Sequence, residues 1–237
     1  MHLAPIVPVP MLEEITADRY HMVLQPLCDI DEYWDFYQKV GGFKILDNGA
    51  AEGAKQDPER LLKLAFQLRA DEVIAPDHYG DCDRTMHLLK RFIPVAENYH
   101  VMAVLQCRTW PEFDQIFHLA WDLGASSFGL PRVMCSALGP AARLAAAEII
   151  RRESDLPIHA LGSTQRLVEV KDLARQGIVR GIDSSAPVAL GLNSLGLHDL
   201  YKERPHDYFK REPNLLARVN LREFRTWCEA TAPSGEV

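Results

Sequence analysis

The chain has 237 residues, 47% of them hydrophobic and 25% charged, a composition that suits a folded globular domain and excludes overall disorder. Its net charge of −7 supplies no global basic field, so a nucleic-acid partner would need a local basic patch. Five scattered cysteines without a Cys-x-x-Cys pair argue against a zinc knuckle or a disulfide framework and fit a reduced, cytoplasmic setting, with no metal or other cofactor expected.

The N-terminal segment Met1 to Leu12 is apolar but broken by Pro5, Pro8 and Pro10, and it lacks the basic start of a signal peptide. No apolar run approaches the roughly 18 residues a membrane span needs. His21 to Leu27 reads as the first clear strand, followed by a helix capped by Asp29 or Asp31 and stopped by Gly41-Gly42. Phe43 to Leu46 is the next strand and runs into Asp47-Asn48-Gly49. Asp57-Pro58 opens a helix with an acid at the N-cap and proline at the first helical position, and Leu61, Leu62, Ala65, Phe66 and Leu68 form its expected buried stripe. Glu72 to Ala75 is a strand ending at Pro76-Asp77, and a helix follows over Arg84 to Phe92. His100 to Leu105 is a strand ending at Gln106, and Thr109-Trp110-Pro111-Glu112 has capping-box spacing for a helix that stops at Gly124. Ser126 to Leu130 is a short strand, Pro140 to Arg152 an alanine-rich helix, and Pro157 to Leu161 a strand ending at Gly162. Ser163 or Thr164 caps a helix that stops at Gly177, and Val179 to Ile182 is a strand ending at Asp183.

Seven strand–helix alternations, spaced by roughly 20–30 residues, imply a parallel sheet. With no Gly-x-Gly-x-x-Gly or P-loop, a (β/α)8 TIM-type barrel is favoured over an open nucleotide-binding sheet, as a single domain over residues 1–230 with a frayed tail over 231–237. The eighth strand is expected in Ile6 to Val9 or near Asp207 to Phe209. Asp47, Asp77, Gln106, Gly129, Gly162 and Asp183 each stand just past, or at the end of, an apolar run. In a parallel barrel these ends converge on one face, where active sites form. An aspartate after a strand is often only a turn residue, but three acids and a glutamine in register point to a site. Two carboxylates facing one cavity can divide acid, base and nucleophile roles, which suits chemistry at an anomeric carbon. Aspartate, glutamine and a backbone amide can together read the edge of a purine.

Lys44-Ile45-Leu46-Asp47-Asn48-Gly49-Ala50, Val73-Ile74-Ala75-Pro76-Asp77, Val104-Leu105-Gln106, Phe128-Gly129-Leu130, Leu161-Gly162-Ser163-Thr164 and Arg180-Gly181-Ile182-Asp183 occur in that order. Their order and spacing, over roughly Met22 to Leu192, resemble the tRNA-guanine transglycosylase superfamily, most nearly its short phage-type members that insert 7-deazaguanines into DNA. The resemblance implies a base exchange in which guanine leaves an aspartate-bound sugar and a 7-deazaguanine, such as 7-cyano-7-deazaguanine, takes its place. By position, Asp47 would be the general acid/base, Asp77 and Gln106 would bind the base edge, the amides of Gly129 and Leu130 would contact its carbonyl oxygen, and Gly162 would line the pocket floor. The sequence departs from the family in four places. The tRNA enzymes carry their nucleophile three residues beyond the position of Asp183, where this chain has Ala186. Either Asp183 is itself the nucleophile or the same covalent intermediate is not formed. The family's Asp-Ser-Gly-Gly motif is altered to Asp47-Asn48-Gly49-Ala50, and its zinc site and Arg-rich tRNA-binding loop are absent. DNA is therefore expected as partner in preference to tRNA.

Two other readings stand beside this one: an N-glycoside hydrolase acting on a 7-deazapurine nucleoside, and a purine-binding barrel without activity. Among the remaining residues, Asp77, Asp81 and Asp83 have no spacing that fits a magnesium loop, and Cys107 reads as packing in preference to a reactive thiol. His78 and His159 lie near strand ends, but with nine histidines in the chain that placement carries little weight. Arg132 could meet a phosphate or serve an ion pair. The C-terminal cations Lys202, Arg204, Lys210, Arg211, Arg218, Arg222 and Arg225 are interspersed with acids and read more as a solvated face than as a phosphate site.

Overall fold

The computed structural model describes residues 1–162, 168–199 and 204–229. Eight parallel strands form its sheet: β1 (His2–Pro5), β2 (Tyr20–Leu24), β3 (Phe43–Asp47), β4 (Glu72–Ile74), β5 (Val101–Val104), β6 (Ser127–Pro131), β7 (Ile158–Leu161) and β8 (Gly181–Ser184). They are hydrogen-bonded in the order β1-β8-β7-β6-β5-β4-β3-β2, and the two ends of that series, β1 and β2, lie side by side. The sheet is thus a nearly closed (β/α)8 barrel, and bending it into a ring leaves no long strand edge exposed. Helices α1 (Asp31–Lys39), α2 (Pro58–Leu68), α3 (Cys82–Phe92), α4 (Trp110–Asp122), α5 (Val133–Leu138), α6 (Ala142–Glu153), α7 (Val168–Gln176), α8 (Ala186–Leu192) and α9 (Leu215–Glu229) surround it. The 3-10 segment Val9–Ile15 stands where the first helix would be and buries Met11, Leu12 and Ile15. The C-terminal helix α9 packs on α7, α8 and β1, so it belongs to the same unit as the barrel.

The alternation of side chains along a strand divides the core in two. Ala4, Tyr20, Met22, Leu24, Ile45, Ile74, Met102 and Val104 fill the barrel. Their neighbours Val23, Leu46, Val73, Ala103, Phe128, Leu130, Ile158, Ala160 and Ile182 face outward and pack with the helices. By the same parity, Glu72, Ser127, Gly129, His159, Gly181 and Asp183 point inward, so the interior holds several polar groups.

Local signals act as expected at several helix ends. Asp57 accepts from Arg60 N at 3.0 Å, and Thr109 and Glu112 form the full capping box of α4. Glycines at positive φ follow α4 and α7 at Gly124 and Gly177. Four expectations are corrected. Neither Asp29 nor Asp31 caps α1, because Ile30 occupies the N-cap, Asp31 is already helical, and Asp29 receives Arg60 at 2.7 and 2.8 Å. The strand from His21 is shorter than expected and ends at Leu24, with Gln25–Leu27 a 3-10 turn. Phe66 is 76% exposed, since Leu61, Leu64, Ala65 and Leu68 take the inward face of α2. The eighth strand is His2–Pro5, upstream of the Ile6 to Val9 segment, where Pro8 lacks the N–H a ladder needs. Asp207 to Phe209 forms no strand; a 3-10 turn there lets Tyr208 Oη donate to Ile6 O at 2.6 Å just beyond β1. The caps proposed at Ser163 or Thr164, Lys202, and the tail over 231–237 lie outside the described residues.

One buried ion pair ties the helix layer to the end of β7. Arg143, fully buried on α6, donates to both Glu169 oxygens at 2.8 and 2.7 Å, and to the carbonyls of Leu161 and Gly162 at 3.0 and 2.7 Å. Removing one partner of such a pair strands the remaining polar groups without compensation, so Arg143→Met is expected to cost about 3–5 kcal/mol. Denaturant unfolding of the variant checks this, and a loss under about 1 kcal/mol would mean the pair contributes little beyond its shape.

Candidate active site

The C-terminal ends of the strands open into a cleft of about 440 Å³. Asp47, the last residue of β3, Asp77 beyond β4, Gln106 beyond β5, Gly162 beyond β7 and Asp183 in β8 all line it. Five of the seven residues singled out in the sequence are therefore brought together. The other two are not. Gly129 lies within β6, its carbonyl accepts from Leu105 N at 2.9 Å, and a Cβ there would stand 2.8 Å from Leu161 Cδ1 inside the barrel. Leu130 faces the helix layer and is fully buried.

Asp77 is the most tightly held of the acids. Asn48 Nδ2 donates to its Oδ1 at 2.7 Å and to Ala75 O at 2.6 Å, while Gln106 Nε2 donates to Asp77 Oδ2 at 2.6 Å. Burial raises the Asp77 carboxyl above its usual range, and the two amide hydrogen bonds work against that rise. Gln106 Oε1 accepts from Gly80 N at 2.9 Å, so both ends of this amide are occupied in positioning Asp77 and the loop after β4. The expected pair of base-binding residues is a fixed carboxylate with its two orienting amides, and Asn48 is the member that sequence reasoning passed over.

Asp47 sits differently. Gly49 N donates to its Oδ1 at 3.2 Å. Burial, then the nearby Glu52 and Asp183 carboxylates, hold its carboxyl well above the usual range, although solvent reaches its outer face through the cleft. A carboxyl held above its usual range is better able than a free aspartate to give and take a proton within one reaction. Asp183 is placed by two donors to one oxygen, Gly162 N at 3.0 Å and His159 Nε2 at 3.1 Å from Oδ1. Ala186, three residues beyond Asp183, also lines the cleft but offers only a methyl group.

The lining further contains Glu52, Tyr79, Arg132 and Arg204. Glu52 Oε1 accepts from Arg204 at 2.8 Å, and the Arg204 guanidinium lies 5.2 Å over the ring of Phe209. Tyr79 is 48% exposed, and Arg132 is exposed with no ion pair among the described residues. The floor is thus acidic and the solvent side carries an aromatic ring and cations. Of the other C-terminal cations, Arg211 and Arg218 form solvated pairs with Asp207 and Glu14, while Arg225 pairs with Asp18 in a more enclosed setting; Arg204 differs from all three in lining the cleft.

Asp81 caps α3 by accepting from Arg84 N at 3.0 Å, and among the described residues no three histidine, cysteine or acidic side chains are grouped to hold a metal. Cys107 is fully buried and its thiol is pushed up to about 12, the behaviour of a packing residue. No helix of the described residues is long and apolar enough to cross a membrane. No protein-family model matches this sequence, and no curated protein is significantly similar to it.

The raised Asp47 carboxyl has a consequence for stability. The folded state keeps this proton to higher pH than the unfolded chain does, so the group opposes folding increasingly as pH climbs from the ordinary carboxylate range to the raised value. Asp47→Asn should raise the thermal midpoint at about pH 7, with the gain shrinking as the pH is lowered toward 4. Calorimetry at both pH values checks this, and equal midpoints at the upper one would show that Asp47 ionises in the fold without penalty.

Proposed function

We propose that this protein is a transglycosylase that replaces guanine with a 7-deazaguanine in DNA, by aspartate-based chemistry at the anomeric carbon. The observation that carries the reading is the division of labour between two carboxyls in one cleft. Asp47 is surrounded so as to retain a proton, and Asp183 is oriented by two hydrogen-bond donors on a single oxygen. In the exchange, an Asp183 oxygen forms a bond to C1′ as the bond from C1′ to N9 of guanine breaks, and Asp47 gives its proton to the departing base. The incoming deazapurine then returns a proton to Asp47 as its N9 displaces Asp183 from C1′, which restores the starting state. A group that is acid in one half and base in the other serves best when its carboxyl titrates nearer neutrality than a free aspartate.

Asp77 supports recognition of the base. Its two oxygens are pinned by Asn48 and Gln106, and each keeps acceptor capacity for the N–H groups of a guanine-like edge. Arg132 and Arg204, with Tyr79 beside them, suit a flanking phosphate and an unstacked base, as required when a nucleotide must leave the helix to reach a buried cleft. Arg132, which has no acid partner among the described residues, is the local cation through which a chain of net charge −7 would meet a phosphate, with Arg204 shared between Glu52 and the ligand.

The test is incubation with duplex DNA carrying labelled guanine, with and without 7-cyano-7-deazaguanine. Base release is expected only when the deazapurine is present, and Asp183→Asn is expected to abolish it. Release without the deazapurine would make the protein a hydrolase, and release from tRNA but not DNA would overturn the substrate. Full activity of Asp183→Asn would remove that residue as nucleophile.

A further inference from the structure

Beneath the cleft, a chain of hydrogen bonds crosses the barrel interior and ends on Asp183. Ser127 Oγ donates to Glu72 Oε1 at 2.6 Å, and Arg180 Nη2 makes a charge-assisted hydrogen bond to Glu72 Oε2. Arg180 Nε is 3.1 Å from Tyr20 Oη, Tyr20 Oη is 2.9 Å from His159 Nδ1, and His159 Nε2 is 3.1 Å from Asp183 Oδ1. Glu72, Ser127 and His159 are each at most 2% exposed, and Tyr20 is 5% exposed. The ring of Tyr20 is fixed between neighbours. It stacks on Phe43 at 5.6 Å and on His2 at 5.4 Å, and it fills the space over Gly181, where a Cβ would stand 2.6 Å from Tyr20 Cε1.

The direction of each bond follows from what its atoms can do. A guanidinium only donates, so Tyr20 Oη is an acceptor toward Arg180. Burial raises the Tyr20 phenol, which therefore keeps its single proton. The other polar atom within reach of that proton is His159 Nδ1, so this nitrogen is the acceptor and carries no hydrogen. The imidazole proton is then on Nε2, facing Asp183.

We infer that the Glu72–Arg180–Tyr20 chain fixes His159 as the neutral Nε2–H tautomer, and that His159 and Tyr20 are positioning residues which hold Asp183 through Oδ1, its Oδ2 having no hydrogen bond among the described residues. His159 and Gly162 N both donate to Oδ1, so the carboxylate cannot rotate without losing two bonds. An imidazole donor of defined tautomer orients a reacting carboxylate as a fixed dipole does, with no rearrangement during the reaction. The role in catalysis rests on the reading of Asp183 as nucleophile; the tautomer itself does not.

Two measurements separate these parts. Nitrogen–proton correlation spectra of the whole protein, with His159 assigned by its loss in His159→Gln, are expected to show a protonated Nε2 and a bare Nδ1. Tyr20→Phe, which keeps the ring and removes the hydroxyl, is expected to lose that pattern. A doubly protonated ring or an Nδ1–H tautomer in the wild type, or an unchanged pattern in Tyr20→Phe, would overturn the relay. In the base-exchange assay, His159→Gln places an amide N–H where Nε2–H stood and should retain most of the rate. His159→Asn places it at the Nδ1 position and should lose on the order of a hundredfold in kcat with KM little changed. Equal losses in the two variants, both shown to be folded by thermal melting, would overturn the positioning role. If the wild type exchanges no base at all, the proposed activity fails, while the spectra still decide the tautomer.

Discussion

The interior of this barrel accepts charged groups only where each one meets a partner. Glu72 and Arg180 pair at the end away from the cleft, and Tyr20, His159 and Asp183 continue the sequence of bonds toward it. Burying a carboxylate or a guanidinium alone would cost several kcal/mol, so every member of this column depends on the next. Layers of Met22, Ile45, Ile74, Met102 and Val104 fill the rest of the space and keep water from competing for those bonds. The column therefore sets the strand arrangement that the cleft inherits, because the inward residues of β2, β4, β7 and β8 must meet at hydrogen-bond distance.

Above the column the same physics sorts three aspartates into different states. Asp77 is enclosed, and the Asn48 and Gln106 amides that fix its position also work against the rise that burial causes. Asp47 is buried with a single backbone donor and three acidic neighbours, Glu52, Asp183 and Asp77, so its carboxyl is driven upward. Asp183 has donors gathered on one oxygen. The roles proposed for them in recognition, proton transfer and attack draw on these differences in surroundings. The Arg143–Glu169 pair takes part from outside the barrel, since Arg143 holds the carbonyl of Gly162, whose N–H reaches Asp183.

Much of this was legible along the chain. The strands from β2 onward and helices α1 to α4, α6 and α7 follow from the apolar pattern, whereas α5, α8 and α9 do not, and the Asp57 and Thr109 caps act through residues only three positions away. The strand-end rule gathered Asp47, Asp77, Gln106, Gly162 and Asp183, because in a parallel barrel all strand ends face one side. The four-residue strand β1 was hidden because its ladder is formed with β8, at the far end of the sequence, while the surrounding prolines argue against a strand locally. Asn48 reads locally as part of a turn, and nothing in its neighbours announces that its side chain crosses to Asp77. His159 stands near a strand end, but one histidine in an apolar run carries no local mark of its partner.

By itself the sequence determined the repeat of strand and helix, the local caps, and which polar residues stand at strand ends, for these depend on contacts within a few residues. Tertiary structure alone decided which polar residues meet. Tyr20 and His159 are 139 positions apart, Glu72 and Arg180 are 108 apart, and Tyr20 and Arg180 are 160 apart. Only closure of the sheet brings such distant inward-facing residues together, and only then do burial and neighbouring charge set the proton affinity of Asp47 and the orientation of Asp183.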